Sequence, residues 1–245
     1  MADRPHILVT NDDGIHSEGI KTLAKALSEV GDVFVVAPDR ERSAIAHSLT
    51  LHRPLRVDRV KKNVYALDGT PADCVHLAIN SILPGRPRLV VSGINKGGNL
   101  GDDVTYSGTV SAAFEGTLLG VPSFAISLVA RSRFKFQPAA RFAVRVARRI
   151  LKKGLPPDTL LNINVPNLDE EEIRSYRVTV QGRYTHENGV VEKVDPRGRK
   201  YYWIGEAPFV FDRRGNTDFE AVSENAIPFT PLAAESAAMS SGVCT

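Results

Sequence analysis

Cysteine and tryptophan are scarce in this chain of 245 residues, which has two cysteines, Cys74 and Cys244, and one tryptophan. The two cysteines lie too far apart to form a metal-binding or redox motif, so we expect free thiols rather than a disulfide framework. No run of 18 or more apolar residues occurs, which argues against a transmembrane helix. The first residues contain too few apolar positions for a signal peptide, and a cytoplasmic protein is expected.

A strong charge of one sign is also lacking, because 31 Lys and Arg residues face 28 Asp and Glu residues. The net charge of +3 falls short of the concentrated basic face that nucleic-acid binding requires, so neither a nucleic acid nor a membrane is expected as a partner. Residues 131–153 form the one basic stretch, without Asp or Glu. Arg141, Arg145 and Arg148 follow helical spacing there, and Phe142 lies on another face, which predicts an amphipathic surface helix.

The chain does contain a repeated alternation of short apolar runs and amphipathic stretches. Predicted buried strands are 6–10, 33–37, 89–91, 123–128 and 160–165, and predicted helices are 17–27, 71–83, 107–119 and 134–151. This alternation is typical of an α/β fold, a three-layer, doubly wound, mostly parallel sheet with helices on both faces.

The pattern changes after Pro166. Residues 177–181, 185–191 and 200–204 are β-prone, with a turn signal at 187–189, and we interpret 176–215 as an antiparallel excursion from the main sheet. The tail shows helical periodicity only at 231–239. We therefore divide the chain into an α/β catalytic core, 1–175, and a β-hairpin extension with a C-terminal arm, 176–245, which we expect to mediate oligomerisation.

Oxygen ligands follow three of the predicted strands. Asp12 and Asp13 follow the first strand, Ser43 the second and Asn95 the third. In an open parallel sheet the loops at the carboxyl ends of neighbouring strands converge, and adjacent carboxylates repel each other unless a cation neutralises them. Magnesium and manganese prefer such hard oxygen donors. A solvated turn explains the aspartate pair equally well by itself, so the hypothesis depends on the three strand ends together.

A glycine-rich loop, GINKGGNLG at residues 93–101, precedes the run YSGTVS at 106–111. Small residues at a helix start leave backbone N–H groups free to hold a phosphate. Neither the Walker A pattern nor G-x-G-x-x-G fits the loop, which disfavours a P-loop NTPase and an NAD-binding protein. The chain also lacks G-x-S-x-G and H-E-x-x-H, so a serine hydrolase and a zinc protease are disfavoured.

Ordered motifs along nearly the whole chain carry a family resemblance. They are ILVTNDDGI at 7–15, VVAPDRERS at 35–43, GTPADCV at 69–75, VSGIN at 91–95, YSGTVSAA at 106–113, PRGR at 196–199, TD at 217–218 and TPL at 230–232. Together they resemble the SurE family, the survival-protein 5′-nucleotidases. The run KGG at 96–98 departs from the Arg-Gly-Pro of that family, which leaves the substrate preference open.

The resemblance implies a Rossmann-like, SurE-like fold and one divalent metal cation, magnesium or manganese, bound by Asp12, Asp13, Ser43 and Asn95. It also implies a phosphatase that hydrolyses nucleoside 5′-monophosphates, and in some members 3′-monophosphates and short polyphosphate. Family members form homodimers or homotetramers through the β-hairpin and the C-terminal arm.

The mechanistic hypothesis is hydrolysis by a water that the cation acidifies, with Asp12 and Asp13 as the catalytic residues. Residues predicted to position the substrate phosphate are Asn11, Asn99, Ser107, Gly108 and Thr109. Whether Asp12 is the general base, or an aspartyl-phosphate forms, stays open at this point. The alternative function is a nucleotide-binding regulatory protein with a structural cation. A metal-dependent glycosyltransferase ranks lower because the D-x-D spacing is absent.

Overall fold

The computed structural model describes residues 4–185, 190–204, 210–211 and 215–234. Its strands are β1 His6–Thr10, β2 Asp32–Pro38, β3 Val57–Lys61, β4 Val64–Leu67, β5 Leu89–Lys96, β6 Ser123–Val129, β7 Thr159–Pro166, β8 Ser175–Val178, β9 Tyr184–Thr185, β10 Val190–Val194, β11 Lys200–Ile204, β12 Val210–Phe211 and β13 Ala226–Ala233. Its α-helices are α1 Glu18–Leu27, α2 Pro71–Leu77, α3 Gly108–Leu118, α4 Phe136–Lys153 and α5 Asp218–Ser223. A π-helical turn, Ala78–Ile82, continues α2, and 3₁₀ turns lie at Gly101–Thr105 and Glu170–Glu172.

In the described part of the chain, nine strands form one sheet in the order β3-β4-β2-β1-β5-β6-β7-β13-β8. The six strands from β4 to β7 in that order are parallel, β3 is antiparallel to β4, and β13 is antiparallel to β7. Ile20 of α1 and Phe142 of α4 pack in a core cluster on one face, and Val75 of α2 and Ala112 of α3 pack in another. The three-layer, mostly parallel architecture expected from the sequence is confirmed.

The basic helix and the buried cysteine also agree with the sequence. Arg141 of α4 forms an exposed ion pair with Glu170 at 2.8 Å, and Arg148 pairs with Glu29 at 3.3 Å, so the basic face of α4 lies towards solvent. Cys74 is a buried free thiol, and Cys244 lies outside the described residues. No helix in the described ranges combines the length and the apolarity that crossing a bilayer demands.

Several elements were not predicted from the sequence. β3 is an edge strand of sequence VDRVK in which all five residues are exposed. Its charged residues interrupt the apolar pattern by which a strand could be predicted. β13 contains Pro228 and Pro231, which argue against a strand, yet it lies between β7 and β8 with Pro231 opposite Leu161. The helical periodicity at 231–239 is therefore wrong for 231–233, which belong to β13, and residues 235–239 lie outside the described ranges.

Residues 176–245 contribute more to the main sheet than expected. β8 runs parallel to β13 at the edge of the sheet, so it belongs to the sheet and not to an antiparallel excursion. Beyond it, β10 and β11 form an antiparallel hairpin as predicted, and β9 pairs with β12. The expected turn at 187–189 lies outside the described residues. The two ends of the excursion lie side by side, because Val180 forms a β-bridge with Thr217.

The strand order reverses between β1 and β5. From β1 the chain builds β2 and β4 on one side, and then β5, β6 and β7 on the other. Thr10, the last residue of β1, lies opposite Ser92 of β5. In open α/β sheets the crevice beyond such a switch point is the usual place of a ligand.

Candidate metal and phosphate site

Asp12 lies at the switch point, directly beyond β1, and is buried. Its carboxylate meets the beginning of α3, where the Thr109 hydroxyl donates a hydrogen bond to Asp12 Oδ1. A Cβ on Gly108 would lie 2.9 Å from the Asp12 Cβ, so this approach of α3 requires glycine. The structure therefore places two of the predicted phosphate residues, Gly108 and Thr109, against the predicted metal ligand Asp12.

Asp13 connects the loop after β1 with the end of β5. The backbone N–H of Lys96 donates to Asp13 Oδ2 at 3.2 Å, which brings the neighbouring Asn95 to the same edge of the sheet. The Asn95 side-chain Nδ2 donates to the Gly97 carbonyl oxygen at 3.0 Å. Because Nδ2 of the Asn95 amide makes that bond, the side-chain oxygen Oδ1 of Asn95 is the atom that a hard cation would bind.

The segment after β2 carries Ser43 to the same edge. The Arg42 N–H donates to the Asp12 carbonyl oxygen at 2.7 Å. Gly14 has a positive φ of 91°, and a Cβ there would lie 2.9 Å from the Arg40 carbonyl carbon. The Ser43 side chain is exposed, and its hydroxyl donates to Glu41 Oε1 at 2.7 Å. The backbone of the Ser43 segment is thus bound to the aspartate loop.

Burial and neighbouring negative charges disfavour the charged forms of Asp12 and Asp13. Burial raises the pKa of Asp12 above its ordinary value. Burial, followed by repulsion from the Asp12 charge, raises the pKa of Asp13 to about 6. Glu41 adds repulsion at both carboxylates, whereas Lys96 opposes it at Asp13. A cation between the carboxylates would remove this repulsion.

The donor set fits a hard divalent cation. Within the described ranges no group of three or more His, Cys, Asp or Glu side chains has the arrangement of a metal site, so a site here depends on two carboxylates supplemented by hydroxyl and amide oxygens. Around the switch point three buried oxygens have no hydrogen-bond partner, namely Thr10 Oγ1, Asn11 Oδ1 and Ser92 Oγ. Carboxylate, hydroxyl, amide and water oxygens are the ligands of magnesium and manganese, and the residues present match that preference.

The start of α3 provides anion-binding groups. Ser107 is the N-cap residue, and its hydroxyl oxygen accepts a hydrogen bond from the Val110 N–H at 3.1 Å. Gly108 is the first helical residue, so its N–H has no acceptor within the helix. Asn11 is buried and donates through Nδ2 to the Gly14 carbonyl oxygen at 3.0 Å, which holds the aspartate loop.

Asn99 occupies a different environment from the other predicted phosphate residues. Its Nδ2 donates to Ser127 Oγ at 2.7 Å, and its backbone N–H donates to Asn164 Oδ1 at 2.8 Å. Its carbonyl oxygen accepts from Asn162 Nδ2 at 2.8 Å. These bonds tie the glycine-rich loop to β6 and β7, and a contact between Asn99 and phosphate stays a prediction.

One polar cluster beside the site was missed from the sequence. Glu115 of α3 binds His47, from the segment after β2, and His76 of α2. The sequence separations are 68 and 39 residues, so no local motif connects the three. Only the topology of the sheet brings them together.

Comparison with known proteins identifies relatives that match most of this chain. The family described as Survival protein SurE matches residues 7–188. A protein named 5′-nucleotidase SurE from Pelobacter propionicus is 57% identical over 228 residues, 93% of this chain and 92% of its own length. A protein of the same name from Geobacter sulfurreducens is 55% identical over 93% of this chain and 87% of its own. The crystal structure of the SurE protein from Aquifex aeolicus has a TM-score of 0.85, with 43% identity and 94% of each chain covered.

Proposed function

The chain belongs to the SurE family, and on that premise we propose that it is a metal-dependent 5′-nucleotidase, which hydrolyses nucleoside 5′-monophosphates to a nucleoside and inorganic phosphate. The observation that carries the proposal is the Asp12–Asp13 pair beyond β1, a buried and a half-buried carboxylate that repel each other and that a cation would neutralise. The relatives named 5′-nucleotidase SurE support the activity. The activity on 3′-monophosphates and short polyphosphate expected from the resemblance stays a prediction.

Asp12, Asp13, Ser43 and Asn95 would hold one magnesium or manganese ion. A bound divalent cation supplies positive charge for the phosphoryl oxygens and acidifies a water molecule that can then act as the nucleophile. The support for this set is the convergence of its loops: Arg42 binds the Asp12 backbone, and the Lys96 N–H binds the Asp13 side chain.

The chain's own groups would orient the phosphate. The N–H of Gly108 and the positive end of the α3 dipole would face the anion, which needs positioning and charge stabilisation more than covalent chemistry. Asn11 and Ser107 fix the two loops that form the floor of this crevice. Asp13 is the better-suited proton acceptor of the pair, because it is less buried than Asp12, whose Oδ1 is bound to Thr109.

The surface of the excursion is suited to the dimer or tetramer that the resemblance implies. In the β10–β11 hairpin, Trp203 is 61% exposed and Ile204 is 91% exposed, although both side chains are apolar. Exposed apolar residues on a hairpin are suited to contact with another subunit. The oligomeric state and the cytoplasmic location stay predictions.

The proposal is tested by release of inorganic phosphate from AMP and GMP with added Mn²⁺ or Mg²⁺, before and after treatment with EDTA. We expect turnover that EDTA abolishes and that added metal restores. Asp13→Asn should lose nearly all turnover while its metal-free form keeps its thermal stability, because the change also removes the repulsion between Asp12 and Asp13. Asp58→Asn, an equivalent change on the exposed strand β3, is the matched control and should keep full activity.

Two results would contradict the proposal. Full turnover in Asp13→Asn would show that the ligand set is wrong. Absence of phosphate release across a panel of mononucleotides, together with tight nucleotide binding, would instead favour the regulatory protein with a structural cation.

A further inference from the structure

Glu115 joins three separate parts of the chain. Glu115 is 5% exposed, and its carboxylate accepts hydrogen bonds from His47 Nε2 at 2.9 Å and from His76 Nδ1 at 2.8 Å. Glu115 belongs to α3, His76 to α2, and His47 to the irregular segment that follows β2. Each imidazole binds a different carboxylate oxygen, so the two hydrogen bonds do not compete.

The cluster favours a charged carboxylate. The hydrogen bond from His47, opposed in part by burial, lowers the pKa of Glu115, and the hydrogen bond from His76 adds to this effect. A buried carboxylate holds its partners strongly, because losing one leaves the charge poorly solvated. The His47 ring also lies near Phe114, with 6.4 Å between the ring centroids, so α3 contacts this imidazole through two neighbouring residues.

The segment that contains His47 also contains Ser43. No helix or strand forms between the end of β2 and the start of β3, so side-chain and isolated backbone contacts must fix its path. Near Ser43 these contacts are the Arg42 N–H on the Asp12 carbonyl oxygen and the Ala46 N–H on the Tyr106 carbonyl oxygen at 3.2 Å. His47 follows directly, and its bond to Glu115 is the charge-assisted contact next to Ala46; further along the segment, the N–H and the hydroxyl of Thr50 donate to Asp73.

We propose that His47 is a positioning residue for the metal site, which acts by fastening the Ser43 segment to Glu115. The proposal rests on the proposed function, since it assumes that Ser43 is a metal ligand. With the segment fastened, Ser43 is held near Asp12 before the cation arrives. Without it, metal binding must order the segment, and the cost of that ordering lowers the affinity.

His76 provides a matched control within the same cluster. It binds the same carboxylate, but it lies on α2, which has its own capping box between Thr70 and Asp73. Removal of His76 therefore removes a hydrogen bond of similar length from Glu115 without releasing the Ser43 segment. A purely structural role of the cluster would make the two histidines equivalent.

The test is direct Mn²⁺ binding, followed by the electron paramagnetic resonance signal of free Mn²⁺ in titrations of the full chain. We expect His47→Ala to weaken Mn²⁺ binding about tenfold, since a hydrogen bond to a charged group is lost, and His76→Ala to bind like the parent. His47→Gln, whose amide has a reach similar to Nε2, should restore most of the affinity. In phosphate release, His47→Ala should need more Mn²⁺ for half-maximal activity while kcat at saturating Mn²⁺ is unchanged.

Equal Mn²⁺ affinity in His47→Ala and the parent, or equal losses in His47→Ala and His76→Ala, would overturn the inference. If His47→Ala does not fold, His47→Asn replaces it, because its shorter amide does not reach Glu115. Failure of the proposed function is distinguishable, because the parent itself would then fail to bind Mn²⁺ or to release phosphate.

Discussion

The hydroxyl of Thr109 donates a hydrogen bond to Oδ1 of Asp12, across 97 residues of sequence. The bond joins the start of α3 to the end of β1, and it lies at the point where the strand order of the sheet reverses. It stabilises the charged form of a carboxylate whose burial disfavours that charge. The first turn of α3 therefore contacts the candidate metal ligand Asp12 directly.

Replacement of Thr109 tests this relationship. Thr109→Val keeps the shape of the side chain but removes the donor, so Asp12 Oδ1 loses a hydrogen bond in a buried site. We expect phosphate release to fall about tenfold or more, with a loss of about 1–3 kcal/mol in the free energy of unfolding. Thr109→Ser retains the hydroxyl and should stay close to the parent in both measurements. Equal activity of the Val and Ser variants would contradict the role of the bond.

Gly108 tests how closely α3 must approach Asp12. In Gly108→Ala the new Cβ would lie 2.9 Å from the Asp12 Cβ and 3.0 Å from Oδ2, so either the helix or the carboxylate must move. We expect most of the phosphate release and of the Mn²⁺ binding to be lost. Gly85→Ala is the control, because a Cβ at this exposed position has its nearest neighbour, the His6 ring, 3.8 Å away. Parental Mn²⁺ affinity in Gly108→Ala would show that the crevice tolerates a wider spacing.

The Glu115 cluster predicts a pH dependence of stability. Its hydrogen bonds lower the pKa of Glu115 below the ordinary 4.5, so the folded state stabilises the charged form relative to the unfolded chain. The stability contributed by this charge is fully present above pH 4.5 and is lost as the pH falls through the lowered value. Urea unfolding should therefore show an advantage of the parent over Glu115→Gln that shrinks with acidification below pH 4.5. Glu171→Gln, an exposed change, should show no such trend. A difference that grows in acid would contradict the assignment.

Asp218 fixes the glycine-rich loop to the base of the excursion. Its buried carboxylate accepts from the N–H of Gly101 at 2.8 Å and from the N–H of Gly182 at 2.9 Å. Asp218→Asn turns an amide nitrogen towards one of these N–H groups, and we expect a loss of about 1–3 kcal/mol in the free energy of unfolding. Hydrogen exchange at Gly101 and Gly182 should become faster.

The control for Asp218 is Glu224→Gln, which changes an exposed carboxylate just beyond the same helix, α5. It removes the charge that pairs with Arg177 at 2.9 Å and should alter the free energy of unfolding by less than about 1 kcal/mol, as is usual for an exposed ion pair. Unchanged exchange at Gly101 in Asp218→Asn would show that the loop is held by other contacts.

The sequence predicts best those features that depend on neighbouring residues. Asp12 and Asp13 follow an apolar run directly, and the carboxyl ends of parallel strands share one edge, so their position could be inferred before the structure. Strand β13 could not, because Pro228 and Pro231 are unfavourable in strands and its place in the sheet depends on pairing with β7 and β8, which are distant in sequence or in the irregular part of the pattern. The pairing of His47 with Glu115 depends on the packing of α3 beside the segment after β2, which no local pattern encodes.

The hydrogen-bond partners of buried polar residues are also hard to predict from the sequence. The predicted contact between Asn99 and phosphate stays a prediction, and the structure adds contacts that the sequence does not show: the Asn99 amide binds Ser127, and its backbone binds the side chains of Asn162 and Asn164. Asparagine makes both kinds of contact, and residue type alone does not distinguish them. The outcome depends on which strand ends carry complementary amides.

The excursion leaves and rejoins the sheet at one place, since the Val180 N–H donates to the Asn216 carbonyl oxygen and the Asp218 N–H donates to the Val180 carbonyl oxygen, both at 3.1 Å. When the two ends of a segment are hydrogen-bonded to each other, the segment tolerates insertions and deletions, because the entropic cost of closing a loop grows slowly with its length. Evolution can therefore remodel the part of the excursion beyond this junction while the nine-stranded sheet stays unchanged. A protein engineer can use the same junction to graft a hairpin from one relative onto another while the strands of the main sheet are kept.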